Sequence, residues 1–176
     1  MLGYLSLIFF IVLLFLMVFT FAWGGWSAAP WVPLWKKDIR RMLTLAKVKP
    51  GELVYDLGAG DGRMIIIAAK EFGAKAVGFE VACLPYFLAW VKISLLGLFC
   101  QARLVYKNFF LKDLSQADVI MVFLTPPAIE KLKPKFEKET KPSCRIVSYA
   151  FSIPGWQPTI KDKPDNKTGT VYVYQR

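Results

Sequence analysis

Two carboxylates and three glycines carry the chemistry that can be read directly from this chain. Residues 54–63 run Val-Tyr-Asp-Leu-Gly-Ala-Gly-Asp-Gly-Arg. Gly58, Gly60 and Gly62 let the backbone turn tightly and approach a ligand closely, and a helix is expected to start directly after them. The spacing is not that of a dinucleotide fingerprint, because the third glycine of GxGxxG would fall on Arg63. No Gly-Lys-Ser/Thr follows, so no lysine is placed to grip a phosphate. Asp56 ends the expected strand before the loop, where it would repel a pyrophosphate and welcome a cation. Glu80 closes the next expected strand, and a carboxylate there accepts hydrogen bonds from ribose hydroxyls. The pair suits a ligand with a ribose and a positive charge but no phosphate, and S-adenosylmethionine has that composition. Read singly, Asp56 would be a helix cap and Glu80 a surface charge. Glu80 is expected to do little structural work, so its loss would weaken binding far more than folding.

What the chain lacks excludes other chemistry. There is no histidine, so Ser-His-Asp and Cys-His catalysis and histidine-ligated metals are out. Cys83, Cys100 and Cys144 have no CxxC spacing, which argues against a zinc site or a disulfide framework and fits a reducing compartment. No metal is expected.

These residues need a sheet to hold them, and the pattern supplies one. Strands are expected at 53–57, 76–80, 103–106, 117–124 and 145–150, with helices at 34–47, 63–72, 84–98 and 129–141. Residues 159–163 and 170–174 flank Pro164-Asp165-Asn166-Lys167 and suggest a terminal hairpin. Strand-helix alternation implies an α/β fold, mostly parallel, with helices on both faces and ligands bound beyond the carboxyl ends of the strands. The run 117–124 is nearly all apolar, as a strand buried on both faces should be.

Ahead of this lies a different kind of sequence. Residues 2–23 carry no charge, and every charged residue lies from Lys36 onward. Such a run is long enough for the ~30 Å hydrocarbon core, and no basic n-region precedes it as in a signal peptide. Trp23, Trp26, Trp31 and Trp35 fit an interfacial belt. Lys36, Lys37, Arg40 and Arg41 follow, and the positive-inside rule places them in the cytoplasm. Residues 1–26 are read as a transmembrane anchor, 27–33 as a linker and 34–176 as the catalytic domain, giving a single-pass membrane protein with that domain cytoplasmic. The 23 basic against 13 acidic residues give a net charge of +10. The lysine-rich segment 131–141 is read as a solvated helix face near an anionic membrane rather than as a nucleic-acid patch.

The glycine loop resembles the first motif of the class I S-adenosylmethionine-dependent methyltransferases, whose fold is Rossmann-like. More narrowly, the chain is similar to the small membrane-anchored lysine methyltransferases of the family that modifies the ATP synthase c-subunit and the adenine nucleotide translocase. The likeness rests on Val32-Pro33, on residues 55–63 and 77–80, on Val122-Phe123-Leu124-Thr125-Pro126, and on Phe151-Ser152-Ile153-Pro154-Gly155-Trp156. It implies that Asp56, Gly58, Ala59, Gly60 and Gly62 line the methionine moiety and that Glu80 holds the ribose. It implies too that the Asn108 amide meets the adenine amine and that Phe109 lies against the adenine ring. Leu124-Thr125-Pro126-Pro127 resembles the NPPY lip of amine methyltransferases, with Thr125 in place of Asn and Ala128 in place of Tyr. Thr125 and Pro126 are the candidates to orient an acceptor amine, and Phe151 and Trp156 either wall that pocket or pack the sheet end. The expected acceptor is a protein lysine, that of a membrane protein included. The alternatives are a membrane-associated quinone or lipid, or a fold that binds the cofactor without catalysis.

Overall fold

The computed structural model describes residues 2–27 and 31–176. Residues 28–30 of the expected linker lie outside the described residues, as do the side chains of Trp23 and Trp26. The chain runs α1 (Leu2–Ser27), α2 (Lys36–Leu45), β1 (Leu53–Leu57), α3 (Arg63–Phe72), β2 (Lys75–Glu80), α4 (Cys83–Leu95), β3 (Ala102–Tyr106), a 3-10 turn (Phe109–Leu111), β4 (Val119–Val122), α5 (Pro126–Glu139), β5 (Arg145–Tyr149), β6 (Ile160–Asp162) and β7 (Val171–Gln175).

The strands form one sheet of order β3-β2-β1-β4-β5-β7-β6. The first five are parallel, and β7 is antiparallel to both β5 and β6. The expected hairpin therefore exists, but its second strand inserts between β5 and the first. The sheet is buried on both sides. Ile39, Met42 and Leu43, spaced as one face of α2, join Ile65 and Ala68 of α3 and Val54, Met121 and Val147 of the sheet in one cluster. Leu57, Phe79, Ile120 and Ile146 point the other way and meet Ile129, Leu132 and Phe136 of α5. β4 is buried at every position, as its apolar run requires.

Two boundaries differ from expectation for a physical reason. The prolines 126 and 127 look like a turn, yet they open α5, because a first-turn residue has no intrahelical partner for its amide and proline's fixed φ suits the helix. β4 accordingly stops at Val122. α4 ends earlier than expected, in a turn through Gly97, whose φ is +65°. The carboxyl end of β1 is where the sheet order reverses between β1 and β4, the crevice in which open α/β sheets bind ligands.

The expected membrane anchor is corrected. Among the described residues no helix is long and apolar enough to cross a membrane, so a single-pass protein with a cytoplasmic domain is not supported, nor is a membrane partner held through an N-terminal helix. α1 also makes contact with α4 and so lies against the domain. Trp31 likewise is no belt residue, since it packs on the glycine loop.

Candidate active site

The glycine loop is built by its left-handed turns. Gly58, Gly60 and Gly62 have φ of +101°, +53° and +77°, which side-chain-bearing residues rarely adopt. The Gly58 and Ala59 amides donate to the Phe79 carbonyl at 3.1 and 2.9 Å, lacing the loop to β2. Space forbids side chains as well. A Cβ on Gly62 would lie 2.8 Å from the Ala89 Cβ of α4, and one on Gly60 would lie 2.8 Å from the Trp31 indole. Trp31 thus covers the loop, a contact that no local spacing in the sequence announces.

Three carboxylates surround this loop, and they are held differently. Glu80 Oε1 accepts from the Val81 and Ala82 amides and Oε2 from the Gly60 amide, all at 2.8 Å. Glu80 therefore clips the loop to the end of β2, which corrects the expectation that it does little structural work. A carboxylate has about four acceptor positions, so one remains on Oε2. Asp61 is gripped by Arg63 through two bonds of 2.8 Å and by Lys92 Nζ, while Arg63 also donates to the Leu34 carbonyl at 2.7 Å. Burial works to raise the Asp61 carboxyl, but its two cationic partners outweigh it and hold it below its ordinary value. Asp56 is only 6% exposed and has no such partner among the described residues. Burial first, then the charges of Glu80 and Asp61, push it up to about 8. Among the described residues no group of His, Cys, Asp and Glu is arranged to hold a metal ion.

On the far side of the crevice, Asn108 caps the 3-10 turn, its Oδ1 accepting from the Phe110 amide at 3.0 Å. Among the described residues its NH2 has no hydrogen-bond acceptor. Phe109 is buried in the sheet's lower cluster, its ring 4.6 Å from that of Phe110. Phe110 is the more accessible of the two, and Lys131 Nζ lies 4.6 Å over its ring. The sequence offered no reason to prefer it.

Thr125 sits at the N-cap of α5, its carbonyl accepting from Ile129 at 3.0 Å, and Pro126 is exposed at the first helical position. Beside it, the chain leaves β5 through Ala150, whose φ is +68°, an uncommon conformation for a residue with a Cβ. The buried Ser148 hydroxyl donates to the Phe151 carbonyl at 2.5 Å and closes that turn. Phe151 emerges 40% exposed. Trp156 instead donates to Glu137 at 3.2 Å and packs edge-on against Tyr174, so of the two it is the one that packs the sheet end.

Residues 56–160, from Asp56 of the glycine loop to the start of β6, match the ANTKMT methyltransferase domain. The chain belongs to that family. A protein-lysine N-methyltransferase of Saccharolobus islandicus is 47% identical over 148 residues, covering 82% of this chain and 92% of that protein. The adenine nucleotide translocase lysine N-methyltransferase of Mus musculus is 32% identical over 132 residues, covering 73% of this chain and 56% of that protein. A crystal structure of an RNA methyltransferase from Salinibacter ruber in complex with S-adenosyl-L-homocysteine superposes with a TM-score of 0.78 at 33% identity, covering 82% of this chain and 93% of that one. This member of the ANTKMT family is therefore an S-adenosylmethionine-dependent methyltransferase of Rossmann-like fold. Its crevice suits that cofactor: the loop keeps Cβ atoms out, Glu80 retains an acceptor position and Asp56 offers an unpartnered carboxyl.

Proposed function

We propose that the protein methylates lysine side chains of proteins, and that residues 34–176 are its catalytic domain. The extensive match to the Saccharolobus islandicus protein-lysine N-methyltransferase carries this reading, because it spans nearly all of that protein. Asp56, Gly58, Ala59, Gly60 and Gly62 would face the methionine moiety, Glu80 one ribose hydroxyl, and Asn108 with the Phe109–Phe110 pair the adenine. The bound cofactor supplies a sulfonium methyl with a neutral leaving group. The protein's task is then positioning. An acceptor lysine must arrive neutral although its reference pKa is about 10.4. Apolar walls such as Phe151 and Leu124 disfavour the ammonium form, and the Thr125–Pro126 lip at the head of α5 would orient the amine. The chain has no histidine to serve as base.

A second reading, methylation of RNA, draws support from the Salinibacter ruber neighbour and from the net charge of +10. One experiment separates them. The purified protein is incubated with methyl-labelled S-adenosylmethionine and a lysate whose own methyltransferases are heat-inactivated. Label that survives nuclease, is lost with protease and appears as methyl-lysine after acid hydrolysis supports the first reading. Label removed by nuclease refutes it in favour of the second, and label confined to a solvent-extractable small molecule refutes both.

A further inference from the structure

The three carboxylates around the glycine loop differ in one respect that local function does not explain. Asp61 is matched by two cations, Arg63 from α3 and Lys92 from α4. Glu80 is matched by three backbone amides. Asp56 is buried more deeply than Glu80 and, among the described residues, is matched by no cation and no hydrogen-bond donor. It is the penultimate residue of β1, between Gly78 of β2 and Met121 of β4, neither of which brings a charge. The influences upon it are burial and two like charges, Glu80 from β2 and Asp61 from the loop, and none is a hydrogen bond. A carboxylate left in that setting is unfavourable unless it takes a proton or meets a cation.

The methyl donor and its product differ in just this property. S-adenosylmethionine carries a sulfonium and an ammonium against one carboxylate and is a net cation. S-adenosylhomocysteine has lost the sulfonium charge and is net neutral. We propose that Asp56 is the charge sensor of the cofactor site: it holds a proton in the ligand-free protein, releases it when S-adenosylmethionine is seated, and thereby makes the site prefer the charged donor over its neutral product. This inference rests on the reading of the crevice as the cofactor site.

Two consequences follow from linkage. A group with a pKa of about 8 is mostly protonated at pH 7, so binding the donor there should expel close to one proton. Below that pKa the donor's affinity should rise about tenfold for each unit of increasing pH, because each unit raises tenfold the small ionised population that can receive the cation. The neutral product should show a much weaker dependence. After transfer the sulfonium charge is gone, so the carboxyl can recover its proton and the product's hold weakens.

The test is calorimetry of the full chain with S-adenosylmethionine and with S-adenosylhomocysteine, at pH 6 and pH 7, in phosphate and in Tris, whose ionisation heats differ. For the parent we expect heats with the donor that differ between buffers by nearly one proton's worth, and a far smaller difference with the product. In Asp56→Asn, which mimics the protonated carboxyl, we expect donor affinity to fall more than tenfold and become insensitive to pH. Its product affinity should change less than about twofold. Comparing parent with variant cancels protons exchanged by the ligands' own amino groups. Buffer-independent donor heats in the parent overturn the proposal, even if the variant fails to fold. Equal loss of donor and product in a folded variant also overturns it, since the role would then be structural. Absence of binding by either ligand to the parent would instead overturn the cofactor reading itself.

Discussion

Glu80→Gln separates the two roles that the structure gives one side chain. The glutamine can keep its oxygen toward the Val81 and Ala82 amides, but its NH2 then faces the Gly60 amide, donor against donor. One charge-assisted bond is lost, and the remaining acceptor position goes with it. Hydrogen bonds to charged groups contribute about 1.5–3 kcal/mol. Because Glu80 is only half-buried and the freed amide can find water, the lower end applies, roughly 1.5 kcal/mol. For a chain of this size that lowers Tm by about 3–6 °C. Ligand affinity should fall further, since both the ribose bond and the loop's fixed geometry suffer. A loss of about 1.4 kcal/mol or more means at least roughly tenfold weaker binding. Circular dichroism melting and calorimetry with S-adenosylhomocysteine measure the two effects. An unchanged Tm with weakened binding would refute the structural clip and restore the simpler picture of a ligand-only carboxylate. An unchanged affinity would refute the ribose assignment.

Three further outcomes are expected. Trp31→Phe should remove most of the tryptophan fluorescence change on adding S-adenosylhomocysteine, because that indole lies on Gly60, and an unaltered signal would place the change at another tryptophan. With dithionitrobenzoate, Cys83 and Cys100 should react in the native state and Cys144 only after unfolding, since Cys144 is buried and its thiol is pushed up to about 12; mass spectrometry of the labelled protein reads this. Asp56 has a folded-state pKa raised above its unfolded one, so its contribution to stability is complete below about pH 4 and is lost as pH rises to about 8, with a slope approaching about 1.4 kcal/mol per unit. Denaturant melts of the parent should therefore lose stability over that window relative to Asp56→Asn, and parallel curves would contradict the buried, unpartnered carboxyl.

The strand-helix alternation, the buried character of β4 and the GxGxG loop between two acidic strand ends were all legible in the chain, because each is a local matter of period or of backbone freedom. That was enough to point to the α/β sheet, to the ligand edge and to the cofactor class. The insertion of β7 between β5 and β6 was not legible, since strand order depends on pairing between segments distant in sequence. Nor was the fate of the apolar N-terminal run, where counting uncharged residues suggested a span and the contact of α1 with α4 is a tertiary fact. The three carboxylates make the same point at the scale of single atoms. Sequence ranks Asp56, Asp61 and Glu80 only by position. Folding brings Arg63, Lys92 and three amides to two of them and leaves the third alone, so which carboxylate stays ionised, which clips the loop and which waits for a cation are decided by three-dimensional neighbours.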